Sequence, residues 1–77
     1  MQFIPLSGMT LKRVIEEDEI SPEALEAAGV TDESVVRINQ QGDIEVRRPE
    51  GWDVIGGLLG DYEGRLKRET GLTWAAE

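Results

Sequence analysis

Two segments of alternating apolar and polar residues, joined by a glycine-containing loop, constrain the fold of this 77-residue chain most strongly. Residues 35–39 and 43–48 flank Gln40-Gln41-Gly42, which suits a three-residue hairpin loop with Gly42 in the left-handed conformation. The register set by this loop predicts three cross-strand pairs: Ile38 with Ile44, Val36 with Val46, and Arg37 with Glu45. One face is then aliphatic and the other carries opposite charges, which indicates a half-buried antiparallel hairpin over about residues 35–48.

The segment before the hairpin predicts a short edge strand and a first helix. Residues 3–6 are apolar and suit a strand at a sheet edge. Ser7 or Thr10 can cap a helix that runs to about Asp18, although the acids at 16–19 oppose the negative pole of its dipole. Its apolar face is expected to comprise Leu11, Val14 and Ile15.

A second helix is indicated by signals at both of its ends. Ser21 can accept hydrogen bonds from free backbone N–H groups, and Pro22 is preformed for the first helical position. Gly29 is expected to end this helix, with Val30 as the apolar contact that follows a Schellman-type ending.

The C-terminal region predicts a third helix that begins after Asp53, ends at Gly71 and covers the hairpin. Its apolar residues fall within a stripe about 140° wide at 100° per residue: Val54, Ile55, Leu58, Leu59, Tyr62 and Leu66. The expected fold class is therefore α+β, in a single domain over residues 1–77 with the order β-α-α-β-β-α.

Three glycines, Gly56, Gly60 and Gly64, recur at every fourth position of this predicted helix and lie away from its apolar stripe. Glycine costs a helix interior about 0.8–1 kcal/mol relative to alanine, so a compensating contact is expected. The spacing predicts close backbone contact with a second copy or with a partner helix. The alternative is that Gly56 and Gly57 belong to an irregular loop and that the helix begins near Leu58.

Trp52 and Trp74 are expected in the core of a domain this small. An exposed tryptophan would instead be a candidate binding hot spot, since tryptophan is enriched where binding energy concentrates. Trp52 is the better candidate, because it lies beside the predicted glycine helix.

The charge of the chain is negative and segregated. The net charge is -8, and residues 14–36 contain eight acids and no base. This segment, with Glu16, Glu17, Asp18 and Glu19 as candidate contact residues, is expected to form either a solvated surface or a docking site for a basic protein. Nucleic acid is not an expected partner, because binding to its backbone requires Lys and Arg to neutralise phosphates.

The composition excludes most catalytic chemistry for a domain of this size. The chain has no cysteine and no histidine, which excludes thiolate zinc sites, cysteine nucleophiles and imidazole acid–base catalysis. No enzyme activity, metal, cofactor or small-molecule ligand is expected, and neither a leader nor a membrane span is recognised near the first residue. The sequence predicts a cytoplasmic, noncatalytic protein-interaction module that self-associates through the glycine helix. The alternative function is an acidic regulator that docks on a basic protein surface.

Overall fold

The computed structural model describes residues 2–72 and 74, and within them the chain forms a four-stranded antiparallel sheet and three helices. The strands lie side by side in chain order: β1 (Phe3–Ser7), β2 (Val35–Asn39), β3 (Asp43–Arg48) and β4 (Gly51–Gly57). The connection from β1 to β2 contains α1 (Gly8–Val14) and α2 (Pro22–Ala27), and α3 (Tyr62–Thr70) follows β4. The predicted α+β class is confirmed, with one strand more than expected.

The hairpin of β2 and β3 has the predicted register. Val36 pairs with Val46, Arg37 with Glu45, and Ile38 with Ile44. Gly42 has a φ of 87°, which a residue with a side chain rarely adopts, and its N–H donates to the carbonyl of Asn39 over 3.0 Å. Turn chemistry and alternation therefore fix this hairpin locally.

β1 is an edge strand paired with β2, as the sequence predicts, and α1 is shorter than expected. The Ser7 hydroxyl accepts a hydrogen bond from the Thr10 N–H and caps α1. Ile15 is already extended, with φ −74° and ψ 155°, so α1 ends at Val14 and not near Asp18. The acids after Val14 would lie at the negative pole of a longer helix, which accounts for the earlier end.

The prediction for α2 is confirmed at both ends. Ser21 accepts from the N–H of Ala24 over 3.1 Å, and Pro22 occupies the first turn. Gly29 has a positive φ, and the N–H of Val30 donates to the carbonyl of Leu25, as in a Schellman ending.

The prediction of a single helix from Asp53 to Gly71 is wrong over its first half. Gly51–Gly57 is β4, which pairs with β3 after the turn at Pro49 and Glu50. The register shifts between Ile44, which faces Gly56, and Glu45, which faces Val54, so that β4 has a bulge at Ile55. Trp52, Val54 and Ile55 favour a strand, and adjacent glycines disfavour a helix.

The predicted glycine stripe consequently does not lie on one helix. Gly56 belongs to β4, and a Cβ there would lie only 3.3 Å from Cδ1 of Ile20. Gly60 lies in the loop before α3, and Gly64 lies in the first turn of α3, where its N–H donates to the Asp61 cap. Gly71 ends α3 as predicted. A contact role for these glycines stays a prediction, but its helical basis is lost.

The core lies between the helices and one face of the sheet. Its buried apolar residues come from three strands, all three helices and the loops between them: Ile4, Leu11, Val14, Ile20, Leu25, Val30, Val36, Ile38, Ile44, Val46, Leu58 and Leu66. Trp74 packs against this core and meets Tyr62 edge-on, at 6.5 Å between ring centroids. Because strand side chains alternate between faces, the remaining strand residues form a second face that the helices do not cover.

Candidate functional site

A groove runs along the helical side of the molecule, between α1 and α2. It encloses about 530 Å³, and its lining comprises Lys12, Ile15, Glu16, Glu17, Ile20, Pro22, Leu25, Glu26 and Val30. The floor is apolar because α2 buries Leu25 against the core and the adjoining loops bury Ile20 and Val30. Ile15 is half-buried at the end of α1 and continues the floor towards solvent. We call this site the acidic groove, after the charge of its rim.

The rim of the acidic groove is negatively charged. Glu16, Glu17 and Glu26 are exposed. The carboxylate of Glu16 lies 3.7 Å from the guanidinium of Arg65, but its side chain retains 63% of its accessible surface. Lys12 also lines the groove, but its ammonium lies 2.8 Å from a carboxylate oxygen of Asp32. The positive charge of Lys12 is therefore paired, and the glutamates dominate the field at the rim.

Glu19 is an internal structural group, unlike its acidic neighbours. Its side chain is only 2% exposed and lies against the guanidinium of Arg65. The two carboxylate oxygens accept from Arg65 at 2.9 and 2.5 Å, and one of them also accepts from the Leu59 N–H at 2.6 Å. Arg65 further donates to the carbonyls of Val14 and Leu59. This pair joins the end of α1 to the loop before α3.

The electrostatics of this pair favour its charged form. Hydrogen bonds from Arg65 are the largest cause of a lowered pKa for Glu19, from 4.5 to about 2, although burial opposes the effect. The hydrogen bonds to Glu19 also raise the pKa of Arg65. Glu19 was predicted as a surface contact residue, but its carboxylate is already occupied inside the molecule.

A second, shallower cavity brings four of the predicted contact residues together. Glu16, Asp18, Glu19 and Gly60 line a space of about 380 Å³, together with Arg65. Arg68 also lines this space, so its wall contains both signs of charge. Because these opposite charges neutralise one another within the cavity, it is a poor site for a charged partner.

Trp52 lies far from these residues in the fold, on the face of the sheet opposite the helices. The guanidinium carbon of Arg37 lies 3.7 Å from the ring centroid of Phe3 and 4.1 Å from that of Trp52. Arg37 also donates twice to one carboxylate oxygen of Glu45, at 3.0 and 2.9 Å. Asn39 donates to the other oxygen at 3.4 Å. The half-buried Trp52 is thus part of a stacked and hydrogen-bonded row across the sheet.

Sequence reasoning missed several residues of these sites. Ile15 was expected on the buried face of the first helix, but the early end of α1 leaves it on the groove floor. No local signal places Phe3 beside Arg37, because the two residues meet only through the pairing of β1 with β2. The alternation of residues 35–48 did identify the pair of Arg37 and Glu45, which the structure confirms at 2.9 Å.

The part of the chain that the structure describes contains no group of three or more Asp, Glu, His or Cys side chains arranged to hold a metal ion. None of the helices within residues 2–72 and 74 is long and apolar enough to cross a membrane. Comparisons of the chain with protein-family profiles, with curated proteins and with solved structures found no match.

Proposed function

We propose that this protein is a noncatalytic interaction module that binds a basic amphipathic helix of a partner protein in the acidic groove. The observation that carries the proposal is an apolar floor enclosed by an acidic rim. The proposal follows the alternative drawn from the sequence, docking on a basic surface, because the helix required for self-association through glycines does not form. A cytoplasmic location is part of the proposal and rests on the absence of cysteine.

The size of the groove suits side chains of a protein segment. Its volume of about 530 Å³ lies within the range of sites that hold apolar groups. Apolar side chains at i, i+3 and i+4 of a bound helix can contact Ile15, Ile20 and Leu25, as in other helix-in-groove complexes. Burial of these groups provides the part of the affinity that does not depend on charge.

The rim selects the charge of the bound segment. Glu16, Glu17 and Glu26 are exposed at the groove, so Lys or Arg on the flanks of a bound helix gains a favourable field. A segment with acidic flanks meets like charges at the same positions. We therefore expect discrimination between basic and acidic helices that share the same apolar face.

Three dye-labelled peptides of about 14 residues, or four helical turns, test the proposal by fluorescence anisotropy. The first has leucine on one face and lysine on the other, the second has the same composition in scrambled order, and the third has glutamate in place of lysine. The first is expected to bind at least about tenfold more tightly than the others, and to weaken at high salt because its flanking charges are screened. Equal binding of the scrambled peptide would show nonspecific charge attraction and would contradict the groove proposal.

Two charge reversals locate the binding site. Glu17→Lys changes the rim, whereas Glu50→Lys makes the same change at an exposed residue of the β3–β4 turn. We expect Glu17→Lys to weaken binding of the leucine–lysine peptide about tenfold and Glu50→Lys to weaken it less than about twofold. Equal losses in the two variants would place the attraction in the overall charge of the protein and refute a specific role of the groove.

A further inference from the structure

The face of the sheet that the helices leave uncovered is electrically balanced, although the chain as a whole is acidic. Its charged residues are Arg37 and Arg47 against Asp43 and Glu45, which sum to zero on a protein of net charge -8. We call this surface the open sheet face. Two copies of the protein can approach through it without placing the acidic groove rim of one against that of the other, because the rim lies on the helical side of the sheet.

Apolar side chains extend across the same face to both sides of its polar centre. Val54 on β4 is 59% exposed and Val35 on β2 is 56% exposed. Half-buried Trp52 lies on β4, two residues before Val54, and pairs with Arg47 in the register of β3 and β4. Exposed β-branched and aromatic residues on one sheet face are typical of a surface that packs against another sheet.

Arg47 is a charged residue of the open sheet face that is available for a contact with another molecule. It is exposed, and no ion pair involves it among residues 2–72 and 74. Its guanidinium carbon lies 5.6 Å from the centroid of the Trp52 ring, beside the half-buried tryptophan. Asp43 lies on β3 as well, four residues before Arg47, and therefore on the same face of the sheet.

We propose that the open sheet face binds a second copy of this chain in a two-fold symmetric dimer. A two-fold arrangement that stacks β3 antiparallel on its own copy brings Arg47 of each chain towards Asp43 of the other. The same arrangement covers Val35, Val54 and Trp52. This interface is independent of the acidic groove and requires no other partner.

The dimensions of the sheet predict a weak dimer. Four strands spaced about 4.8 Å apart, each with about five residues at 3.4 Å, give a face of about 19 by 17 Å. The face therefore covers about 320 Å² per copy, or about 650 Å² for both copies. This total lies below the roughly 1,200 Å² that stable specific interfaces bury, so only a weak and transient contact is expected. We therefore expect a mixture of monomer and dimer between about 10 μM and about 1 mM protein, and not a permanent dimer.

Analytical ultracentrifugation over that concentration range tests the proposal, with Val54→Lys and Leu59→Lys as a matched pair. Val54 and Leu59 are both 59% exposed, but Leu59 lies in the loop before α3, outside the open sheet face. Both variants add one positive charge. Val54→Lys is expected to weaken dimerisation at least about tenfold, whereas Leu59→Lys leaves it within about twofold of the wild type. A wild type that stays monomeric at every concentration, or equal losses in the two variants, would overturn the proposal.

A second pair of variants keeps the test valid if Val54→Lys fails to fold, which circular dichroism detects. Arg47→Glu removes the proposed contact to Asp43, and Arg13→Glu makes the same charge change on exposed α1. Weaker dimerisation of Arg47→Glu alone supports the open sheet face, and unchanged dimerisation refutes the proposed contact. Raising the salt concentration is expected to change dimerisation little, because it screens both the repulsion between the acidic chains and the attraction between Arg47 and Asp43. Peptide binding in the acidic groove is expected to weaken at high salt, so that failure of one proposal leaves the other testable.

Discussion

Replacing Glu19 by glutamine is expected to destabilise the protein more than any other single carboxylate substitution in the segment 14–36. Glu19 is 2% exposed and its oxygens accept from Arg65 and from the Leu59 N–H. Glutamine preserves the shape but removes the negative charge, so the guanidinium of Arg65 loses its buried anionic partner and retains only the exposed Glu16, 3.7 Å away. Breaking one side of a buried ion pair typically costs about 3–5 kcal/mol.

The pKa of Glu19 gives a second estimate of the same free energy. That pKa is lowered from 4.5 to about 2 in the folded protein, chiefly by the hydrogen bonds from Arg65, against an opposing effect of burial and with help from the backbone N–H groups of Leu59 and Glu16. At about 1.4 kcal/mol per pKa unit, the difference corresponds to about 3 kcal/mol of stability. Since the folded pKa lies below the unfolded one, this stabilisation is present above pH 4.5 and is lost as the pH falls towards 2.

Urea unfolding of the wild type, Glu19→Gln and Glu17→Gln at several pH values measures this effect. At pH 7 we expect Glu19→Gln to lose about 3 kcal/mol, or about 12–24 °C in Tm for a domain of this length. Glu17 is an exposed neighbour, so Glu17→Gln is expected to stay within about 0.5 kcal/mol of the wild type. The difference between wild type and Glu19→Gln should narrow below pH 4.5. A difference at pH 7 of less than about 0.5 kcal/mol, or one that persists unchanged at pH 2, would refute the role given to this pair.

Three further substitutions test local features of the fold. Gly8→Ala would place a Cβ only 1.8 Å from the carbonyl oxygen of Thr31, a backbone atom, so a loss above about 3 kcal/mol or failure to fold is expected in urea unfolding. Ser21→Ala removes the cap of α2 and should lower the free energy of unfolding by about 1 kcal/mol; an unchanged Tm would contradict this. Tyr62→Phe removes a 2.7 Å hydrogen bond to the carbonyl of Gln40 and is expected to cost about 1 kcal/mol, which chemical denaturation measures against the wild type.

The elements that the sequence predicts well are those whose signals are local. The hairpin loop contains a glycine at the position that needs a positive φ, and the flanking residues alternate. The second helix has a serine cap, a proline in its first turn and a glycine at its end. In both cases a few adjacent residues satisfy the backbone, so tertiary contacts only reinforce what the segment already favours.

β4 was missed because its determinants are not local. Val54 and Ile55 are adjacent apolar residues, so this segment lacks the alternation typical of a strand. In the fold a bulge at Ile55 accommodates the pair. The spacing of the apolar residues from Val54 to Leu66 then fits a helical period as well. Pairing with β3 decides the outcome, and that pairing is visible only once the turn before Gly51 is known to reverse the chain.

The candidate sites were only partly predictable for the same reason. A run of acids from Glu16 to Glu19 looks uniform in the sequence, but the structure separates its members. Glu19 lies 46 positions from Arg65, and their pairing depends on how α3 packs beside α1. Glu16 and Glu17 stay exposed at the groove. The sequence could therefore locate the acidic surface. It could not show that Glu19 is a buried structural residue while its acidic neighbours remain exposed to a partner.

The division of the sheet into a covered and an open face also explains how one small domain can offer two separate surfaces. The helices occupy one side of the sheet, and their solvent side contains the acidic groove. The open sheet face lies on the other side and has no net charge. A basic helix bound in the groove would neutralise part of the charge of -8, and so reduce the repulsion between two copies that approach through their sheets. We therefore expect the leucine–lysine peptide to strengthen dimerisation of the wild type at low salt and not at high salt.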